Sequence, residues 1–311
     1  MSGPIRSIIV GVAALAADDP CSGPAYADPA LASAAALARS TGATLHLVHA
    51  YELPFAESTL LPVDTRQRYT AALEARVSAL AASYPGTDLE CHVVEESPAA
   101  AVCDAATHLG ADLIVVGATR RGRAWRGLVG STADSVIRAA TIPVLVLHQP
   151  LALPLQRVLL ATDLSGASEA SLARGVDTVH ALAGAESDLR LVLVVASDPL
   201  VPPPCTTEAV TRFAEPGVRR LAQRIGIIAE TTVRTGNAAL EIAREADEWK
   251  ADLLVLGTHG RSGFRQLWLG GTAISALRAA ACNVLMVPPH ATPLPDAEWV
   301  HADAGVLAGV A

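Results

Sequence analysis

The sequence nearly lacks lysine: Lys250 is the single one, and the rest of its 23 Lys+Arg are arginines. A P-loop requires Gly-Lys-Ser/Thr. Lys250 stands between Trp249 and Ala251, which excludes P-loop NTPase chemistry and disfavours a lysine Schiff base. Cysteine is also scarce. Cys21, Cys91, Cys103, Cys205 and Cys282 are odd in number and form no CxxC pair. They read as buried free thiols, against a metal or disulfide framework. No uninterrupted apolar run approaches the roughly 18 residues of a membrane span. The start, MSGPIRSIIVGV, shows no basic leader with a small-residue cleavage site. A soluble, cytoplasmic protein without a membrane partner is expected. A basic excess is missing as well: residues 1–150 carry 10 Arg against 14 Asp+Glu, and residues 151–311 carry 13 Arg+Lys against 17 Asp+Glu. Sequence-independent nucleic-acid binding leans on a basic face, so no nucleic-acid partner is expected. No GxGxxG follows any first strand, so the dinucleotide dehydrogenase reading lacks its fingerprint.

What the chain does contain, it contains twice. GADLIVVGATRR (110–121) returns as KADLLVLGTHGR (250–261), and Ala111/Ala251, Gly117/Gly257, Gly130/Gly270 and Arg138/Arg278 all share a lag of 140 residues. The match continues from STADSVIRAA against GTAISALRAA into PVLVLH against NVLMVP. Solenoid repeats run about 20–50 residues, so this lag marks a duplicated domain. The 311 residues suit two domains. They divide at 1–149 and 155–290 around the proline-bearing linker HQPLALPLQ (148–156), with a tail at 291–311.

Within the first half, β-branched and alternating runs predict strands at 8–12, 44–51, 89–95 and 112–117, with helices at about 30–41, 65–83 and 98–109. The second half predicts strands at 157–162, 189–196, 229–235 and 252–257, with helices at 166–183, about 217–225 and 237–248. Alternation of this kind implies βαβ units and a parallel sheet covered on both faces.

After the fourth strand of the second half comes GTHG, nine residues, then GGTA: Gly257 and Gly260, followed by Gly270, Gly271 and Thr272 opening a helix. Glycine lets backbone N–H groups approach an anion closely, and a helix start adds unpaired donors and a positive dipole end. The first strand of this half ends in ATDLS, placing Asp163 and Ser165 at the same sheet edge. A carboxylate there suits ribose hydroxyls or an adenine amine.

This combination resembles the universal stress protein family, and because the match extends over both halves the chain is similar to a tandem member. The resemblance implies two five-stranded, Rossmann-like α/β domains of strand order 3-2-1-4-5, related by a pseudo-two-fold axis, with the last strands, Val144–Leu147 and Val284–Val287, pairing with each other within the chain or across a dimer. It also implies an ATP site (with or without Mg2+) contacted by Ala161, Thr162, Asp163, Val194, Leu256, Gly257, Thr258, Gly260, Gly270, Gly271 and Thr272. A stress-response regulator that binds adenine nucleotide and a protein partner, without enzymatic activity and with a possible homodimeric state, is the expectation; a nucleotide-free interaction scaffold of the same fold is the alternative. One departure stands in the loop itself, where Gly271 replaces the hydroxyl residue usual after the third glycine.

The first half departs further. Its loop reads GATRRGRAWRGLVGSTA, with Arg120 in place of the second glycine, and Ala13 stands where Asp163 does. Nucleotide is therefore expected mainly in the second half. Four arginines within seven residues (Arg120, Arg121, Arg123, Arg126) leave anion binding or contact with the other half open. His259 has no clearly paired Ser or Cys nucleophile, GRSG is one residue short of GxSxG, and the pyrophosphate loop of the related α-hydrolases is missing. His46 and His49 alternate along one strand with no carboxylate or cysteine at ligand spacing, so sheet packing explains them better than zinc, and no metal ligand is assigned. Trp125 and Trp268 read as packing or interface groups.

Overall fold

The computed structural model describes residues 4–12, 29–52, 62–118, 129–183, 187–196, 207–258 and 271–289. The aliphatic runs form strands: β1 (Ser7–Gly11), β2 (Thr44–Tyr51), β3 (Leu89–Glu95), β4 (Leu113–Gly117) and β5 (Val144–Leu147) in the first half. The second half has β6 (Arg157–Thr162), β7 (Asp188–Ala196), β8 (Glu230–Gly236), β9 (Leu253–Gly257) and β10 (Asn283–Val287). Between them run α1 (Pro29–Thr41), α2 (Val63–Ala81), α3 (Pro98–His108) and α4 (Ser131–Ala139), then α5 (Gly166–Ala183), α6 (Thr207–Arg224), α7 (Ala238–Glu248) and α8 (Gly271–Ala279).

The sheet order is β3-β2-β1-β4-β5-β10-β9-β6-β7-β8, so each half has the expected 3-2-1-4-5 arrangement. Helices α1, α2, α5 and α6 cover one face, and α3, α4, α7 and α8 the other, each set over a continuous apolar layer that crosses both halves. The inner strands β4 and β9 are buried from their first residue to their fourth, as two-sided cover demands, whereas the outer strands β3 and β8 are half-exposed.

The halves join through one antiparallel pair, Val284↔Val146, Leu285↔Leu145 and Met286↔Val144. Given the 140-residue lag, Leu145 faces its own counterpart, and Val144 faces the counterpart of Val146. The pseudo-two-fold axis therefore passes through the Leu145–Leu285 pair. The expected pairing of the two last strands occurs within the chain, where it turns two apolar edges into the middle of one mixed ten-stranded sheet. A homodimer through the last strands has no edge left to use.

The repeated aspartates tie each half together at the amino end of its sheet. Asp112 Oδ2 accepts from Arg6 N–H (2.7 Å) and Ser7 N–H (3.1 Å), and Asp252 Oδ2 accepts from Gln156 N–H (2.8 Å) and Arg157 N–H (2.9 Å). The ends of the seam differ. At one end the buried Asn283 Oδ1 accepts from His148 N–H (3.0 Å) and Gln149 N–H (3.2 Å). At the pseudo-symmetric end Pro143 replaces Asn283, and Pro288 and Pro289 replace the two donors, so no acceptor is needed. The linker is docked between the halves: Leu155 is buried, Leu151 and Leu153 pack on the same core, and Leu151 N–H donates to Ser33 Oγ (3.1 Å).

Two expectations need correction. Helix α6 begins at Thr207, ten residues before the expected start, because Pro216 lies inside it without ending it. A mid-helix proline forfeits a backbone hydrogen bond, and burial of Val218, Leu221 and Ala222 just beyond it holds the segment helical. The thiols are not uniformly buried either. Cys282 is buried, Cys103 half-buried and Cys91 exposed, on a half-exposed outer strand; Cys21 and Cys205 lie outside the described residues. Burial pushes the Cys103 thiol up to about 12 and that of Cys282 to about 11, so neither is a thiolate at neutral pH. Among the described residues no helix is long and apolar enough to cross a membrane.

Candidate nucleotide site

In a sheet of order 3-2-1-4-5 the chain leaves the first and fourth strands toward opposite faces, which opens a crevice at their carboxyl ends. In the second half those strands are β6 and β9, paired through Val158↔Leu253, Leu159↔Leu254 and Leu160↔Val255. From β6 the chain enters α5 on one face, and from β9 it runs to α8 on the other. Ala161, Thr162 and Asp163 close β6, Leu256, Gly257 and Thr258 close β9, and Val194 lies near the end of β7, one residue past the partner of Thr162. Because β9 and β10 are parallel, α8 must start at this same end, bringing Gly271 and Thr272 to it. Gly260 and Gly270 lie outside the described residues.

Burial divides this set. Ala161, Thr162, Leu256 and Thr258 are buried, forming the floor; Asp163, Val194 and Gly257 are half-buried; Gly271 and Thr272 are exposed. Among the described residues, a Cβ added at Gly271 would meet nothing within 4 Å. Thr258 N–H donates to Val287 O (3.0 Å), extending the β9–β10 ladder by one residue; Ala118 N–H does the same to Leu147 O (2.9 Å) in the first half. There the helix start touches the strand end directly, Gly130 N–H donating to Ala118 O at 2.7 Å.

The turn after β6 is more built than the sequence reading anticipated. Leu164 adopts φ 62°, a left-handed conformation that costs a non-glycine residue roughly 1–2 kcal/mol. Leu164 N–H donates to Thr162 Oγ1 (3.0 Å), and Asp163 Oδ1 accepts from Ser165 N–H (2.9 Å) and Ser165 Oγ–H (2.6 Å). Ser165 Oγ in turn accepts from Ser168 N–H (3.2 Å), capping α5, while Thr162 Oγ1 meets Ser168 Oγ at 3.0 Å. The turn is also wedged from the side: a Cβ on Gly217 of α6 would stand 3.1 Å from Leu164 Cδ1. Glu169 in the first turn of α5 pairs with Arg224 of α6 at 2.8 Å, a hydrogen bond that lowers the Glu169 pKa. Asp163 is thus held at the crevice by a serine that also starts the helix. The spacing Ser165-x-x-Ser168 was the one available signal for this turn, and the strained Leu164 had none.

The second place where the structure goes beyond the sequence reading is the β2–β3 pair. His46 and His49 do not act together: three residues apart on a strand, they face opposite sides, and His49 Nδ1 lies 3.3 Å from Val12 O. His46 instead sits beside Glu90 and His92 of the neighbouring strand. The expectation of no carboxylate at ligand distance is corrected by the β2–β3 register, His46↔Glu90, which sequence spacing does not reveal.

Comparison with protein families matches the universal stress protein family at residues 13–148 and again at 154–288. A universal stress protein of Mycolicibacterium smegmatis is 28% identical over 219 residues, covering 66% of this chain and 70% of its own. The universal stress protein E homolog of Haemophilus influenzae is 28% identical over 267 residues, covering 78% and 85%. Matches to relatives from Methanocaldococcus jannaschii and Coxiella burnetii span 41% and 51% of those proteins. A solved structure described as a putative universal stress protein from Pseudomonas aeruginosa shares the fold, with TM-score 0.65 at 21% identity over 91% of this chain and 93% of that one. With a family match in each half, closing on one continuous sheet, the chain belongs to the universal stress protein family and carries two of its domains in tandem.

Proposed function

We propose that the protein is a regulatory module that binds one adenine nucleotide per chain, in the crevice of the second half, and that occupancy biases its contact with a protein partner. The observation that carries this reading is the convergence, at the switch point of β6 and β9, of a serine-held carboxylate with the start of α8. Asp163 would take the nucleoside through ribose hydroxyls or the adenine amine. The first turn of α8 would take phosphate through its unpaired N–H groups, its dipole favouring the anion. Mg2+, where present, would accompany the phosphates. No catalytic step is assigned: the Ser165 hydroxyl that donates to Asp163 is also the cap of α5. The contrast of Ala13 and Arg120 with Asp163 and Gly260 supports a one-sided site, although all but Asp163 lie outside the described residues. The saturation of Asp163 Oδ1 and Thr162 Oγ1 within their own turn favours a second reading, a nucleotide-free scaffold in which the turn only starts α5.

Calorimetric titration separates the two. One ATP per chain supports the module; two equal sites or none refute the one-sided site. Asp163→Ala should weaken ATP and adenosine by a similar factor, roughly tenfold to a hundredfold, because a hydrogen bond to a charged group contributes about 1.5–3 kcal/mol. A variant that loses ATP but keeps adenosine would place Asp163 at the phosphates instead.

A further inference from the structure

The two halves carry the same β-sheet position with different chemistry. The registers make His46 the counterpart of Arg190, because Ile8↔Leu45 and Val158↔Leu189 occupy matching places beside the equivalent strands β4 and β9. By the same registers Glu90 corresponds to Glu230, and His92 to Thr232. In the second half this position is a closed ion-pair network. Arg190 meets Glu230 Oε2 at 2.5 Å and the buried Glu245 of α7 at 2.7 Å, and its guanidinium lies 4.5 Å from the Trp249 ring centroid. In the first half the arginine is a histidine, the threonine is a histidine, and Ala105 replaces Glu245, while the strand glutamate is kept.

We propose that His46, Glu90 and His92 form a binding site for a zinc-class transition-metal dication on the first domain. His46 Nδ1 lies 3.2 Å from His92 Nε2 and 3.3 Å from Glu90 Oε2, and all three ligand atoms fall within 4.8 Å of one another. A tetrahedron with metal–nitrogen bonds of 2.0–2.1 Å has ligand–ligand edges of about 3.3 Å. Two of the three edges already match that spacing, and the third, within 4.8 Å, closes by side-chain rotation of the exposed Glu90 without movement of the strands. Hydrogen bonding alone serves this set poorly: His46 Nδ1 carries at most one proton and faces two atoms, so it can donate to only one of them. A metal ion serves all three.

The surroundings suit a dication. His46 is buried, which keeps its ring fixed against the strand pair. Glu90 and the nearby Asp88, whose Oδ2 accepts from Thr44 Oγ1 at 2.8 Å, put negative charge beside it. The Glu90 side chain is 57% exposed, which gives an ion a way in and leaves a fourth position for water or an exogenous ligand. Two imidazoles and one carboxylate favour zinc-class ions over magnesium or calcium, which take oxygen ligands.

The test uses the full chain, stripped with a chelator, and Zn2+ as the probe. Titration should show a site that His92→Thr and His46→Arg, both copied from the second half, each weaken at least tenfold. Glu90→Gln should weaken it less, and His49→Gln, on the opposite face, should leave it unchanged. Circular dichroism confirms that each variant is folded. Should a variant fail to fold, histidine footprinting of the wild type with diethyl pyrocarbonate decides: Zn2+ should protect the half-exposed His92. Absence of micromolar binding, an unchanged affinity in the His46→Arg/His92→Thr double variant, or protection confined to other histidines would overturn the proposal.

Discussion

Asn283 is the residue through which the seam between the halves is most directly testable. Its side chain is 2% exposed, and its Oδ1 holds two N–H groups from the end of β5. Asn283→Leu keeps much of the volume and removes the acceptor. Gln149 is exposed, so water can replace its lost bond; His148 is half-buried, and its N–H bears most of the cost. An unsatisfied buried donor costs about 1–3 kcal/mol. At roughly 2–4 °C per kcal/mol for domains of 150–250 residues, Tm should fall by roughly 2–12 °C. The pseudo-symmetric end supplies a rescue, because Pro288 stands there in place of His148 and has no donor to satisfy. Adding His148→Pro to Asn283→Leu removes donor and acceptor together, and thermal and urea unfolding should recover most of the loss, with a non-additive double-mutant cycle. The reasoning is refuted if Asn283→Leu changes stability by less than about 0.5 kcal/mol, or if the double variant is no more stable than Asn283→Leu alone.

His148 also carries a pH prediction. Burial lowers its pKa below 6.5, partly offset by the Leu277 carbonyl, and among the described residues its Nε2 has no hydrogen-bond partner. A depressed histidine pKa means the unfolded chain takes up its proton first as pH falls, so stability is intact above 6.5 and declines below it. His148→Gln should flatten the Tm-against-pH curve below 6.5, and a curve parallel to the wild type would exclude this origin. Gly175 in α5 predicts an overpacking effect: a Cβ there would stand 2.6 Å from Val255 Cγ1 and 3.3 Å from Val287 Cγ2, both buried. Gly175→Ala should destabilise by about 1–3 kcal/mol despite a helix-propensity gain of about 1 kcal/mol. Urea unfolding that finds the alanine variant more stable would show that α5 can shift away from the sheet.

The sequence by itself determined the elements and their order. The 140-residue lag, the doubled ADL-aliphatic-Gly strand and the last-strand runs VLVL and VLMV are local patterns. Strands alternating with helices imply parallel sheets covered on both faces; the order 3-2-1-4-5 and the crevice residues from Ala161 to Thr258 are what the resemblance to the universal stress protein family implies, since neither is a local pattern. The helix that contains Pro216 begins earlier than its local pattern predicts, because burial that no local window contains outweighs the breaker signal. Tertiary structure decided everything that depends on one strand meeting another. The antiparallel Leu145–Leu285 register, which merges two sheets into one, is a property of two segments 140 residues apart. The meeting of His46 with Glu90 and His92 depends on the β2–β3 register, and the Arg190–Glu245 bridge on a helix laid over a strand. Periodicity along a chain tells which face a side chain takes; only the register between strands tells which side chain stands opposite, and the chemistry of the second site lies in that difference.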